Sequence, residues 1–181
     1  MQYRELGKTG VQVSEIGYGA EWIRGDDPEG TREIVRRAAQ AGVNIVDCWM
    51  ADPAVRRALG AAVCEQRDHW VVQGHFGATW QDGQYVRTRD LDKVVPAWEF
   101  LLECFGGHIE LGLIHYVDST EEFEQIMSGG AFIDYVQSQP LIRAVLAGHL
   151  HYDFETRLSG GAVQLITGGG FRGCAREITF C

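Results

Sequence analysis

The sequence has little lysine and no run of basic residues. Only Lys8 and Lys93 are lysines among its 181 residues, and 25 acidic against 16 basic side chains give a formal charge of −9 at neutral pH. A protein of that charge repels phosphate backbones and anionic lipid head groups. We therefore expect neither nucleic acid nor a membrane surface as a partner.

Long apolar stretches and closely spaced cysteines are also missing. No apolar run approaches the ~18 residues that a membrane span needs, and the opening MQYRELGKTG contains no signal-type apolar core. The five cysteines are scattered and form no C-x-x-C pair. This spacing favours reduced thiols over a disulfide framework or a thiolate metal site. Together these absences predict a soluble, cytoplasmic protein.

Strand-like and helix-like segments alternate over residues 1–137. Two short strands around the turn Gly7–Gly10 predict an N-terminal hairpin. Strands are then predicted at Ile16–Ala20, Asn44–Asp47, Trp70–His75 and Glu110–His115. Helices are predicted at Glu33–Ala41, after Asp52-Pro53, at Leu91–Phe105 and at Glu121–Gln137 with a break at Gly129-Gly130. This alternation indicates βαβ units and a parallel sheet.

The pattern changes near Gln137–Leu141. Three strand-like segments then follow one another with glycine-rich turns and no helix between them: Arg143–Gly148, Ala162–Thr167 and Ala175–Phe180. Gly168–Gly170 has neither a following helix nor a P-loop lysine, so we interpret it as a turn rather than a phosphate cradle. We predict two units, residues 1–137 and 138–181.

A complete (β/α)₈ barrel typically needs ~250 residues and rarely fewer than ~200. The sequence therefore predicts an α/β fold of a partial kind: a half TIM-type barrel of about four βα units, with an N-terminal hairpin and a short β-rich C-terminal tail. A half barrel exposes the edges of its sheet. Either Arg143–Gly148 continues the sheet as a fifth strand, or a homo-oligomer covers the interior.

Four segments follow one another in a recognisable order: YRELGKTGVQVSEIGYGAEW, AGVNIVDCWM, RDHWVVQGHFG and IELGLIHYVD. In order and spacing they resemble the opening hairpin and the first four strand ends of the aldo-keto reductases. The resemblance implies a small-molecule carbonyl substrate, NADP(H) as cofactor, and a catalytic Asp, Tyr, Lys and His. Asp47 and His115 stand at the Asp and His positions, whereas the Tyr position falls on Asp52 and the Lys position on His75.

These two replacements change the chemistry that the resemblance implies. Carbonyl reduction needs a proton donor beside the developing alkoxide, and an ionised Asp52 would repel that charge. Asp52 also precedes Pro53 and can serve as a helix N-cap instead. His75 is the alternative donor if Asp47 pairs with it. Since the family holds its cofactor mainly with later barrel strands, the resemblance implies an oxidoreductase of impaired activity, and whether the chain is an active enzyme stays open.

Two other interpretations concern the same strand ends. Asp47, His75 and His115 could instead bind a divalent metal in a facial arrangement. Trp22, Trp49 and Trp80 follow the first three strands, and they either line an apolar pocket or cover the open core.

The tail contains LIRAVLAGHLHYDFE, GGAVQLITGGGFRG and AREITF. These segments resemble the C-terminal end of the calcineurin-like metallophosphoesterases. In that family the G-H-x-H element, here with His149 and His151, helps to hold a two-metal centre, but the upstream D-x-H, G-D-x-x-D and G-N-H elements are absent from this sequence. The alternatives to a reductase are therefore a metal-dependent phosphoesterase fragment or a non-catalytic fusion of two gene fragments.

Overall fold

The structure, a computed structural model, describes residues 1–7, 9–139, 144–147, 154–157 and 163–166. Its strands are β1 (Tyr3–Glu5), β2 (Gln12–Ser14), β3 (Tyr18–Gly19), β4 (Ile45–Cys48), β5 (Val71–Phe76), β6 (Ala78–Gln81), β7 (Gln84–Arg87), β8 (Leu111–Ile114), β9 (Ala144–Ala147), β10 (Phe154–Arg157) and β11 (Val163–Ile166). Its helices are α1 (Pro28–Gln40), α2 (Pro53–Cys64), α3 (Leu91–Cys104), α4 (Thr120–Met127) and α5 (Ala131–Ser138).

The main sheet has seven strands in the order β10-β11-β9-β8-β5-β4-β3. Neighbouring strands from β3 to β9 run parallel, β11 is parallel to β9, and β10 is antiparallel to β11. This arrangement confirms an α/β fold with a parallel sheet and helices. Within the predicted tail strand, β9 continues the sheet, because it pairs with β8 in the register Leu111↔Ala144. The predicted strand Ala175–Phe180 lies outside the described residues.

The N-terminal hairpin is confirmed, and one side chain attaches it to the sheet. β1 and β2 pair antiparallel with Tyr3 opposite Ser14. The Asn44 side chain accepts a hydrogen bond from the Ser14 backbone N–H (2.7 Å) and donates one to the Gln12 carbonyl oxygen (2.8 Å). Because Asn44 immediately precedes β4, this pair of bonds holds the hairpin at the end where the parallel strands begin.

The predicted start of the first helix was wrong by five residues. α1 begins at Pro28 rather than Glu33, because Asp27 caps it by accepting from the Gly30 N–H (2.9 Å) and Pro28 occupies its first turn. The apolar periodicity begins only at Ile34, one turn later, so it gave no sign of this capped first turn. The predicted break at Gly129-Gly130 is confirmed: both residues have positive φ (+100° and +126°) and separate α4 from α5.

A second hairpin, β6–β7, and the tail strand β10 were not predicted. Between β6 and β7 lies Asp82-Gly83, and both residues have positive φ (50° and 76°). An Asp-Gly pair between two strand-like runs is a strong signal of a two-residue turn, so the sequence did carry this information. The hairpin brings the Tyr85 ring against His115, at the carboxyl ends of the parallel strands.

The core fills the space between the parallel strands and the helices. Its most completely buried apolar side chains include Val46, Leu59, Val72, Phe76, Leu101 and Ile114. Phe76 stacks on Trp98 of α3, with ring centroids 3.8 Å apart. Gly74 leaves room for the Trp98 ring, since a Cβ there would lie 2.9 Å from Trp98 Cζ3. In the part of the chain that is described, no helix is long and apolar enough to cross a membrane.

A partly buried ion pair joins the amino-terminal ends of β5 and β8. Arg67 donates to the carbonyl oxygens of Phe105 (2.8 Å), Trp70 (2.7 Å) and His108 (2.8 Å), and to Glu110 Oε1 (2.8 Å). Glu110 Oε2 in turn accepts from the Val72 N–H (2.7 Å). A buried charge needs such partners because an unpaired one is strongly destabilising.

Candidate active site

Three of the four predicted catalytic residues meet at the carboxyl ends of neighbouring parallel strands. Asp47 lies on β4, His75 on β5, and His115 directly follows β8. His75 Nε2 lies 2.7 Å from Asp47 Oδ1, and His75 Nδ1 lies 2.7 Å from His115 Nδ1. Carboxyl ends of parallel strands are where (β/α) folds place catalytic residues. The three side chains therefore form one continuous chain of polar contacts.

Gln73 holds the carboxylate end of this chain. It pairs with Asp47 in the β4–β5 register, and its side-chain amide donates to Asp47 Oδ1 (2.9 Å). Our sequence reasoning missed Gln73. It lies two residues before His75 on the same strand, and the twofold periodicity of a strand places both side chains on one face.

Burial and neighbouring charge act differently on the two ends of the chain. For Asp47, burial alone would raise the pKa, but the hydrogen bond and charge of His75 outweigh it, so the pKa lies below its ordinary value. For His115, burial and then the charges of His75 and Arg89 lower the pKa to about 3. Asp47 is therefore an anion at neutral pH, and His115 is a neutral imidazole.

The ring of His115 is held among aromatic side chains. Trp49 stacks on it with centroids 5.7 Å apart, and the rings of Tyr85 (5.5 Å) and Tyr116 (4.2 Å) meet it edge-on. Its backbone N–H donates to the Phe76 carbonyl oxygen (2.9 Å). Among the described residues, His115 Nε2 and the Tyr85 hydroxyl are buried and have no hydrogen-bond partner. The site thus has polar atoms whose bonding capacity is not used by the fold.

A cavity of about 300 Å³ opens beside these residues. Its lining combines two carboxylates, two imidazoles, two aromatic rings and two aliphatic side chains: Glu21, Asp47, Trp49, His75, Leu113, Ile114, His115 and Tyr116. Tyr116 has φ of 43°, a left-handed conformation that is uncommon for a bulky residue and that clusters at functional sites. The cavity has the size and mixed lining of a small-molecule site.

The structure gives Asp52 a structural role. Asp52 is the N-cap of α2, and its side chain accepts from the Ala54 N–H (2.7 Å). It does not line the cavity that holds the other three predicted residues. The tyrosine position of the reductase pattern is therefore occupied by a helix cap, because the Asp-Pro pair begins a helix at this point.

The three predicted tryptophans have different environments. Trp49 lines the cavity, which is the first of the two roles predicted for these tryptophans. Trp22 is 89% exposed, so it neither lines the cavity nor covers the core. Trp80 lies on β6, outside that lining.

The facial metal arrangement predicted for Asp47, His75 and His115 is not formed. The two histidines direct Nδ1 at each other across 2.7 Å, and two imidazole ligands each ~2.0 Å from an ion would need a wider separation. Within the described ranges, no group of three or more His, Cys, Asp or Glu side chains could hold a metal ion. His149 and His151, the predicted metal ligands of the tail, lie outside the described residues.

NADP(H) fits the described lining of the cavity only in part. Trp49 and Tyr116 offer flat surfaces for a nicotinamide ring. The cofactor's phosphates need cations or helix amino termini, but no described residue of the lining is Arg or Lys. The neighbouring Arg89 donates through Nη2 to the carbonyl oxygens of His115 and Tyr116 (both 2.6 Å), and its Nε and Nη1 have no hydrogen-bond partner among the described residues, but it does not line this cavity.

Comparison with known proteins identifies the fold. No protein-family model matches the sequence, and no curated protein matches it. A structure named "putative aldo-keto reductase" from Pseudomonas aeruginosa is similar with a TM-score of 0.65 and 22% identity, covering 81% of this chain and 68% of that one. The holo form of an aldo-keto reductase from Bacillus halodurans is similar with a TM-score of 0.58 and 18% identity, covering 96% and 68%. The chain therefore shares the α/β fold of these proteins and spans about two thirds of their length. Neither structure relates the chain to the phosphoesterases.

Proposed function

We propose that this protein is an aldo-keto-reductase-like oxidoreductase acting on the carbonyl or hydroxyl group of a small molecule. The observation that carries the proposal is the contact chain from Asp47 through His75 to His115, which ends in a cavity of about 300 Å³. The shared fold supports it, because the cavity lies at the carboxyl ends of the parallel strands.

The described residues provide the acid–base part of such a reaction. An imidazole beside a carbonyl oxygen can donate a proton as negative charge develops there. A nicotinamide cofactor would supply the hydride. The described lining offers the phosphates of that cofactor no cation.

The lining also defines a substrate class. Glu21 and Asp47 give the cavity negative charge, whereas Trp49, Tyr116 and Leu113 give it apolar surface. An anionic substrate would be repelled and would lose its hydration without gaining a partner. We therefore propose small uncharged aldehydes or ketones, aromatic ones above all.

Turnover is proposed to be slow compared with a reductase that has the full catalytic set. Asp52 is a helix cap and His75 replaces the lysine, so no tyrosine activated by lysine is available at those positions. We retain as further proposals the half-barrel of residues 1–137 with a tail at 138–181, and self-association through sheet edges such as that of β3.

The test combines cofactor binding with turnover. NADPH fluorescence titration is expected to saturate, and benzaldehyde is expected to have a kcat/KM at least about tenfold above that of carboxybenzaldehyde, because the added carboxylate faces Glu21 and Asp47. His115→Asn is the active-site variant. His108→Asn is its matched control, since His108 lies near the opposite end of β8. Absence of both saturable binding and turnover would contradict the proposal.

No observation in the described residues favours the phosphoesterase fragment or the non-catalytic fusion. They remain predictions from the sequence of the tail. Mn²⁺-dependent hydrolysis of an aryl phosphate, lost in His151→Ala, is the assay that would support the first.

A further inference from the structure

His75 cannot itself deliver a proton to a substrate, although the sequence suggested it as the donor. Both of its ring nitrogens are engaged, Nε2 with Asp47 Oδ1 and Nδ1 with His115 Nδ1, each at 2.7 Å. Any proton that His75 exchanges must therefore pass through one of its two neighbours.

In the state in which Asp47 is ionised and both imidazoles are neutral, the contacts determine where the hydrogens lie. An ionised Asp47 only accepts hydrogen bonds, so His75 Nε2 carries a hydrogen. A neutral His75 then has a lone pair on Nδ1, which must accept from a hydrogen on His115 Nδ1. A neutral His115 carries one hydrogen, so its Nε2 is left with a free lone pair. This Nε2 is the buried atom that has no partner among the described residues, in a side chain that lines the cavity.

We propose that His75 and His115 form a two-histidine proton relay that exchanges protons with substrate at His115 Nε2 and stores the proton on His75 beside Asp47. This inference rests on the proposed function, because it specifies how that reaction would gain or lose its proton. His115 is the catalytic residue in this scheme, and His75, Asp47 and Gln73 are positioning residues.

The transfer balances as an acid–base step. When a substrate hydroxyl releases its proton, a new N–H bond forms at His115 Nε2 while the hydrogen on His115 Nδ1 moves to His75 Nδ1. His75 becomes an imidazolium that donates to Asp47 and to His115, and His115 remains neutral as its other tautomer. The reverse sequence protonates an alkoxide formed from a carbonyl. No electrons are exchanged within the relay.

The surrounding charges favour storage on His75 rather than on His115. His75 lies directly against the Asp47 carboxylate, whereas Arg87 and Arg89 act on His115 and disfavour a second cation there. Among the described residues, the titratable and charged groups that face the two rings or share their cavity are Glu21, Asp47, Tyr85, Arg87, Arg89 and Tyr116.

The relay is tested by NMR of protein carrying ¹⁵N-labelled histidine, without cofactor or substrate. Long-range ¹H–¹⁵N spectra report which ring nitrogen carries hydrogen. On acidification we expect one shared titration, in which His115 Nδ1 and Nε2 shift in opposite directions and His75 becomes the imidazolium. Independent titrations of the two rings, or an imidazolium at His115, would overturn the proposal.

Asp47→Asn is the informative variant. Its Oδ1 can still accept from His75 and Gln73, but the negative charge is lost, so the pair should bind its proton about tenfold or more weakly. His75→Gln should remove the coupled tautomer change at His115, and His108→Asn should alter neither. An unchanged titration in Asp47→Asn would contradict the relay even if His75→Gln failed to fold.

The relay and the proposed function can fail separately. A coupled titration without any carbonyl turnover would retain the relay and reject the reductase. Turnover of an aldehyde together with independent histidine titrations would retain the reductase and reject the relay.

Discussion

The two ends of the parallel sheet both contain partly or fully buried charged or ionisable side chains, but they use them differently. At the amino-terminal ends, Arg67 and Glu110 bond to each other and to the surrounding backbone. At the carboxyl ends, the chain from Asp47 stops at His115, whose Nε2 is without a partner among the described residues. Polar groups that satisfy one another stabilise a fold, whereas an unpartnered buried polar atom at the carboxyl end of a parallel strand is a candidate for chemistry.

The largest expected effect is at the amino-terminal end. Glu110→Ala leaves the partly buried Arg67 guanidinium without its carboxylate and the Val72 N–H without its acceptor, and we expect a loss of about 3 kcal/mol in the free energy of unfolding. Urea denaturation measures this loss. The histidine spectra of the site should stay as in the wild type while the protein is folded. A loss below about 1 kcal/mol would show that the charged pair at the amino-terminal ends does not stabilise the fold as described.

The next effect is at the carboxyl end and should appear in turnover. His115→Asn retains a side-chain nitrogen near His75 but has no atom at the Nε2 position, so kcat should fall about 100-fold. The free energy of unfolding should change by only about 1 kcal/mol. Steady-state kinetics and urea denaturation of the same preparation separate the two. A variant that is as active as His108→Asn would exclude His115 from catalysis.

A third effect appears on acidification. The pKa of His115 is lowered to about 3 in the folded state, so between the ordinary value of ~6.5 and that value the unfolded chain binds more protons. Stability therefore falls as the pH is lowered through this window. From pH 7 to pH 5 the wild type should lose about 2 kcal/mol more than His115→Asn. Equal losses in the two proteins would mean that His115 is not the acid-sensitive group.

The smallest effect concerns Asp52, which the sequence allowed to be either a catalytic residue or a helix N-cap. Asp52→Ala removes the N-cap of α2 and should cost about 1 kcal/mol of unfolding free energy. Turnover should be unchanged, because Asp52 does not line the cavity. If kcat fell as far as in His115→Asn, the difference between capping and catalysis drawn here would be wrong.

Local patterns predicted most of the elements. Asp52-Pro53 predicted the start of α2, and the paired glycines predicted the break between α4 and α5. The positions of Asp47, His75 and His115 at strand ends predicted that they lie at one edge of the sheet. These features follow from short-range backbone preferences and from the common polarity of parallel strands.

What the sequence did not predict depends on contacts between distant residues. That His75 meets Asp47 and His115 with its two nitrogens, rather than sharing a metal with them, is decided by ring orientation across three strands. Tyr85 reaches the site only because the β6–β7 hairpin carries it there. No periodic pattern in the sequence predicts either arrangement.

The order of strands in the sheet has a consequence for how the chain acquires its structure. β3, β4, β5, β8 and β9 are neighbours in the sheet in the same order in which they are synthesised. Each strand can therefore dock on the preceding one as it leaves the ribosome, without waiting for a distant segment. The histidine pair would then assemble when β8 joins β5, before the tail strands are added.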